Sequence, residues 1–132
     1  MDHRLIPTIP LFAGVKRRRR HELAALVDEV AVPAGAVVTR EGAWADEFFV
    51  IVDGAAEVGT DSSPAIATLG PGDVFGEIGL IAGPRRSATV VALTPMQLLV
   101  AHRRDFSTLR HAFPIVGRRI DETFAARTAA VA

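Results

Sequence analysis

A mainly β domain with flanking helices, built on a jelly-roll-like antiparallel β-barrel, is the fold class this sequence predicts. Three observations carry that expectation. Between Ala31 and Ala101 the apolar runs are short and cut at even intervals by Pro, Gly and Asp, the rhythm of a sandwich or barrel. On either side the hydrophobic period lengthens to that of helices. The 132 residues, 49% of them hydrophobic, are one domain's worth of chain with a single core. The predicted domain therefore spans 1–132, with a helical part at about 6–30, the barrel at about 31–101 and C-terminal helices at about 103–130.

Each element has a local reason. Ile6 to Phe12 is apolar but interrupted by Pro7 and Pro10, which suits a short helical piece docked on the core. Leu23, Leu26, Val27 and Val30 recur at i, i+3, i+4 and i+7, predicting an amphipathic helix with Glu22, Asp28 and Glu29 outside. Pro33-Ala34-Gly35 is a turn, Val37-Val38 a β-branched pair, and Phe48 to Val52 an apolar run of strand length. Asp53-Gly54 is the pair that a tight hairpin prefers, with Ala56 and Val58 alternating on the return strand. Further strands are expected at Ala65 to Leu69, Ala88 to Leu93 and Gln97 to Ala101, around turns at Asp61 to Pro64, Gly70 to Asp73 and Thr94-Pro95. Asp105 is placed to cap a helix towards His111, and Pro114 to open a second one. On that second helix Val116, Ile120 and Phe124 share a face.

Composition excludes several function classes. Fifteen basic and fifteen acidic residues cancel, which argues against a chain that grips nucleic acid directly. With no cysteine there is no disulfide framework, thiolate metal site or thiol nucleophile. His3, His21, His102 and His111 are scattered without metal-ligand spacing, so no metal site is expected. No nucleophile and base fall together, and an enzyme is not expected. No apolar stretch reaches the roughly 18 residues of a transmembrane helix, and the N-terminus carries no signal-peptide pattern, so a cytoplasmic protein is expected. Lys16 to Arg20 reads as the solvated first turn of the following helix. Cations there oppose the helix macrodipole, so the run does not serve the helix, and a docking role for a partner stays open. Trp44, in the polar loop Glu41 to Glu47, is expected to pack over a strand unless it is a partner contact.

One segment, Phe75 to Val90, has the makings of an anion site. Gly76 allows positive φ or close backbone approach. Glu77 to Ile81 suits one helical turn with free N–H groups at its start. Gly83-Pro84 turns the chain, and Arg86 then brings a planar fork that matches phosphate oxygens, beside the hydroxyl of Ser87. Strand alternation points Arg85 to the opposite face as a solvated neighbour. On these residues alone, an ordinary ion bridge between Glu77 and Arg86 explains the segment equally well.

The segment Phe75-Gly76-Glu77-Ile78-Gly79-Leu80 through Arg85-Arg86-Ser87-Ala88 resembles the phosphate-binding cassette of the cyclic nucleotide-binding domain family. Catabolite activator protein and the regulatory subunits of cAMP-dependent protein kinase are members. Ile9 to Phe12, Pro33-Ala34-Gly35, Glu41-Gly42, Phe48 to Gly54, Leu69 to Asp73 and Arg103 to Phe106 extend the likeness from about Ile6 to about Arg119. The resemblance implies a ligand, cAMP or cGMP, and no cofactor. It implies that Glu77 takes the ribose 2′-hydroxyl, that the backbone of Gly76 and the adjoining Ile78 help frame the phosphate, and that Arg86, Ser87 and the Ala88 N–H hold it. Ser87 in place of a threonine favours cAMP.

The family also implies a C-terminal helix that closes over the base, with Arg119, Ile120 or Phe124 as the cap. An output domain usually follows the sensor, but two helices use up Arg103 to Ala132. A stand-alone sensor that signals to a separate effector protein is expected, with a homodimer through the last helix as an option. A structural interaction module that has lost its ligand and a piece of a larger regulator are the alternatives.

Overall fold

The run Phe48-Phe49-Val50-Ile51 is apolar on both faces of a strand, which is stable only where both faces are covered. The computed structural model, which describes residues 1–129, places the run in such a position. It lies in β3 (Glu47–Asp53). Phe48 and Val50 pack on a helical layer with Phe12, Leu23, Phe106 and Leu109, while Phe49 and Ile51 pack between two sheets with Phe75, Val90 and Leu98. Its neighbour β8 (Met96–His102) divides the same way, Leu99 and Ala101 to the helices and Leu98 and Val100 to the sheets.

The other strands are β1 (Asp28–Val32), β2 (Val37–Thr39), β4 (Ala56–Gly59), β5 (Ala67–Leu69), β6 (Val74–Phe75) and β7 (Thr89–Ala92). They form two antiparallel four-stranded sheets, ordered β1-β8-β3-β6 and β2-β7-β4-β5. The fold is thus mainly antiparallel β with flanking helices, as expected, but the sheets face one another without closing into a barrel. The turn at Asp53-Gly54 is also not a hairpin, because β3 and β4 belong to different sheets. Gly54 has φ 95°, and a Cβ there would lie 2.5 Å from the Pro95 carbonyl oxygen. The glycine serves a crossing between sheets, held against the neighbouring turn.

The predicted helix through Val30 is shorter than expected. 3-10 helices at His3–Thr8, Pro10–Phe12 and Arg17–Arg19 lead into α1 (Arg20–Ala24), which buries Leu23. Val30 is drawn instead into β1, an edge strand paired with β8 from Asp28↔Val100 to Val32↔Met96. All five residues of β1 gain a pairing partner there that the helix period did not reveal.

Three more helices follow the chain: α2 (Glu77–Ile81), α3 (Arg103–Ala112) and α4 (Pro114–Ala129). His102 occupies the N-cap of α3, and Asp105 lies within its first turn, where its charge still suits the positive end. Pro114 opens α4 as predicted; Ala130, the expected limit of the helical part, lies outside the described residues. Where α3 and α4 cross, a Cβ on Gly117 would sit 2.0 Å from the Arg110 carbonyl oxygen. That close crossing fixes how α4 leaves the core and runs towards α2.

Candidate functional site

The short strand β6 ends at Phe75, whose ring stacks on Phe49 at 4.7 Å. The chain then turns sharply through Gly76, at φ 93°, and starts α2 at Glu77. A side chain at Gly76 has no room: its Cβ would lie 2.8 Å from Arg86 Nη1 and 2.9 Å from the Glu47 carbonyl oxygen. A Cβ on Gly79, one turn on, would lie 2.5 Å from Ala45 Cβ and 3.1 Å from the Arg85 carbonyl oxygen. These two glycines let α2 nest against the segment that carries Arg86.

Arg86 is only 8% exposed. Its Nη1 donates to the Gly76 carbonyl at 3.3 Å, and its guanidinium lies 5.6 Å from the centre of the Phe49 ring. Among the described residues it has no carboxylate at ion-pair distance. Burial pulls its pKa below the ordinary arginine value, while Glu47, Asp46 and Glu77 oppose that from further off. A buried cation without a counter-ion is costly, and an arriving anion relieves the cost.

Glu77 is 1% exposed and does not bridge to Arg86. Its carboxylate is paired instead with Arg127, on the last turns of α4. Burial raises the Glu77 pKa above the ordinary carboxylate value, and the Arg127 guanidinium and the backbone N–H groups of Glu77 and Ile78 pull it back part of the way. The ordinary ion bridge that the sequence left open is therefore absent, and a different one has formed. Arg127 escaped the sequence reading because its partner lies 50 residues away, with no local pattern to link them.

The remaining expected residues fall around this pair. Ile78 is half-buried on α2, and Ser87 is exposed at the mouth beside Arg86. Ala88 is half-buried, with its carbonyl accepting from Thr39 Oγ1 at 3.1 Å. Of the three cap candidates on α4, Ile120 is fully buried in the helical core. Arg119 donates to the Pro10, Leu11 and Ala13 carbonyls at 3.0, 3.0 and 2.6 Å, so its guanidinium holds α4 to the N-terminal segment. Phe124 is half-buried, one helical turn before Arg127.

Arg85 and Arg86 take different partners, although both lie before β7 begins and strand alternation does not set their directions. Arg85 stacks over the Trp44 ring at 3.8 Å and donates to the Gly42 carbonyl. Trp44 is not packed over a strand: it is 61% exposed, and Arg85 covers one face. No group of three or more metal-ligating side chains occurs among the described residues, and no helix among them is long and apolar enough to cross a membrane.

Comparison with known proteins decides the family. Residues 29–112 match the cyclic nucleotide-binding domain family. The chain belongs to that family. A cyclic nucleotide-gated potassium channel of Rhizobium etli is 38% identical over 119 residues, 90% of this chain and 33% of the channel. A cAMP-dependent protein kinase regulatory subunit of Schizosaccharomyces pombe is 33% identical over 105 residues, 80% of this chain and 26% of that subunit. The chain thus spans a third or less of the length of these curated relatives. The solved catabolite activator protein of Thermus thermophilus superposes with a TM-score of 0.79 at 25% identity, covering 92% of this chain and 59% of that one. The matched family is a ligand-binding regulatory domain shared by kinase regulatory subunits and gated channels.

Proposed function

We propose that this domain is a cyclic nucleotide sensor, selective for cAMP over cGMP, that acts in the cytoplasm on a separate effector protein and performs no catalysis. The observation that carries this reading is Arg86, a buried guanidinium without an ion-pair partner among the described residues, set beside the positive-φ glycine that opens α2. A cyclic phosphate supplies the missing negative charge. In this reading Arg86, Ser87, the Ala88 N–H and the backbone of Gly76 and Ile78 hold the phosphate, and Glu77 accepts the ribose 2′-hydroxyl. Ser87, where a threonine would suit cGMP, supports cAMP.

Signal output follows from the Glu77–Arg127 pair. The carboxylate that the ribose hydroxyl needs is already engaged by α4. Ligand entry therefore has to share or break that pair, which couples the site to the last helix. In this reading Phe124, on the turn before Arg127, is the α4 side chain that would cap the base. The same helix is the surface by which an effector, or a second copy, would sense the change.

Titration with cAMP and with cGMP, read by thermal unfolding and calorimetry, tests the proposal. A ligand held at 100 times its dissociation constant adds about 2.7 kcal/mol of stability. The expected result is a rise with both and a larger one with cAMP at equal concentration. No rise with either identifies a non-binding interaction module on the same fold.

A further inference from the structure

The cationic run Lys16 to Arg20 has no part in the nucleotide reading, yet the fold gives it a definite place. Arg17–Arg19 forms a 3-10 helix that leads into the five-residue α1, where positive charge is unfavourable. Beside it, between the N-terminal segment and the junction of α3 and α4, lies a cavity of about 430 Å³. Its apolar lining is Val15, Phe113, Pro114 and Ile115, of which the first two are buried and Pro114 and Ile115 form the accessible floor, and its rim carries Lys16, Arg18, Arg19 and Arg118. No acidic residue lines it.

One of the four cations is committed to the structure. Arg19 pairs with Glu22 at 3.0 Å, donates to the Ala112 carbonyl at 2.7 Å and lies over the Phe113 ring at 4.0 Å. Lys16, Arg18 and Arg118 have no carboxylate at ion-pair distance among the described residues. The chain as a whole is neutral, so this concentration of unpaired positive charge around an apolar floor is a local arrangement. The wall is tightly built, because a Cβ on Gly14 would lie 3.1 Å from Ile115 Cδ1.

We infer that this cavity is a docking site for an acidic segment of a partner protein, which lays one apolar side chain against Pro114 and Ile115 while its carboxylates meet Lys16, Arg18 and Arg118. Charge complementarity sets the sign of the partner, and the concave apolar floor sets its shape. A flat anionic membrane would satisfy the rim and leave the floor unfilled. The site does not depend on the nucleotide reading. Its position does have a consequence for it: Ile115 and Arg118 lie at the start of α4 and Arg127 near its end, about 18 and 14 Å away along one helix. A partner seated here holds the same element that engages Glu77.

The test uses a labelled octapeptide with six acidic residues around a central Leu-Phe pair, read by fluorescence anisotropy against the full chain. The expected result is saturable binding that weakens steeply with salt. It should weaken at least tenfold when Leu-Phe is replaced by Ser-Ser, and vanish when the acidic residues are replaced by lysine. Arg18→Glu with Arg118→Glu should lower affinity at least tenfold without moving the unfolding midpoint; Arg18→Gln with Arg118→Gln gives a milder loss and serves if the reversal fails to fold. Equal binding of the Ser-Ser peptide, indifference to both double substitutions, or no binding at millimolar peptide overturns the inference. So does co-sedimentation with phosphatidylglycerol vesicles by a chain that ignores the peptide, which would assign the rim to a membrane.

Discussion

Replacing Arg86 by Met separates a ligand-binding arginine from a structural one, because the two roles predict opposite signs. Arg86 is almost fully buried, its guanidinium makes a long 3.3 Å contact to the Gly76 carbonyl, and among the described residues no carboxylate lies at ion-pair distance from it. Holding an uncompensated charge in such a place costs several kcal/mol even after relaxation, and the field of Glu47, Asp46 and Glu77 returns only part of that. Met fills a similar volume without charge, so the free protein should keep its stability or gain up to about 2 kcal/mol. For a chain of this size that is a rise of zero to about 8 °C in the unfolding midpoint. Cyclic nucleotide binding should move the other way. Losing one partner of a buried charge-assisted pair costs roughly 2–5 kcal/mol, or about 30-fold to several thousand-fold in affinity. Calorimetry with cAMP and thermal unfolding without ligand measure the two quantities on one preparation. A midpoint that drops by several degrees while affinity holds would refute the reasoning and make Arg86 a structural residue.

Two further predictions concern the same corner of the fold. Gly76→Ala places a Cβ at φ 93° and within 3 Å of both Arg86 Nη1 and the Glu47 carbonyl, so it should lower unfolding stability by about 1–3 kcal/mol in urea titration and displace Arg86. Arg127→Ala should destabilise the chain by about 1–3 kcal/mol near neutral pH and much less near pH 5. The sign follows from Glu77, whose folded pKa lies above its unfolded one: the stability linked to its protonation is fully present below the unfolded value and is lost as pH rises through the folded value. Removing the Arg127 guanidinium removes the largest influence holding that pKa down, which widens the window upwards. Unfolding midpoints of both proteins across pH 5 to 8 check this, and a gap independent of pH would exclude Glu77 as its origin.

Much of the candidate site was legible because its signals are local. A glycine before a one-turn helix, a Gly-Pro turn and an arginine entering a strand are consecutive in the chain, and the structure draws Gly76, Glu77 and Arg86 together. Turn chemistry was as readable: Pro114 opens α4 and Gly76 takes positive φ because a single residue's backbone preference decides each. Where period alone was the guide, it misled. Leu23, Leu26, Val27 and Val30 fit a helix, but Val30 lies in β1, since pairing with β8 outweighs a weak local preference.

The sequence by itself determined the fold class and the family likeness, and it nominated the Gly76 to Ala88 segment as the site, all of which rest on residue type and short spacing. Only the tertiary structure decided which partners the charged groups take. Arg119 went to the N-terminal carbonyls rather than to the mouth of the site, Glu77 found Arg127 rather than Arg86, and Asp53-Gly54 became a crossing between sheets rather than a hairpin. The physical reason is common to all three. An ion pair, a buried carbonyl or a strand edge is satisfied by whatever group packing brings within about 3 Å, and separation along the chain carries no information about that distance.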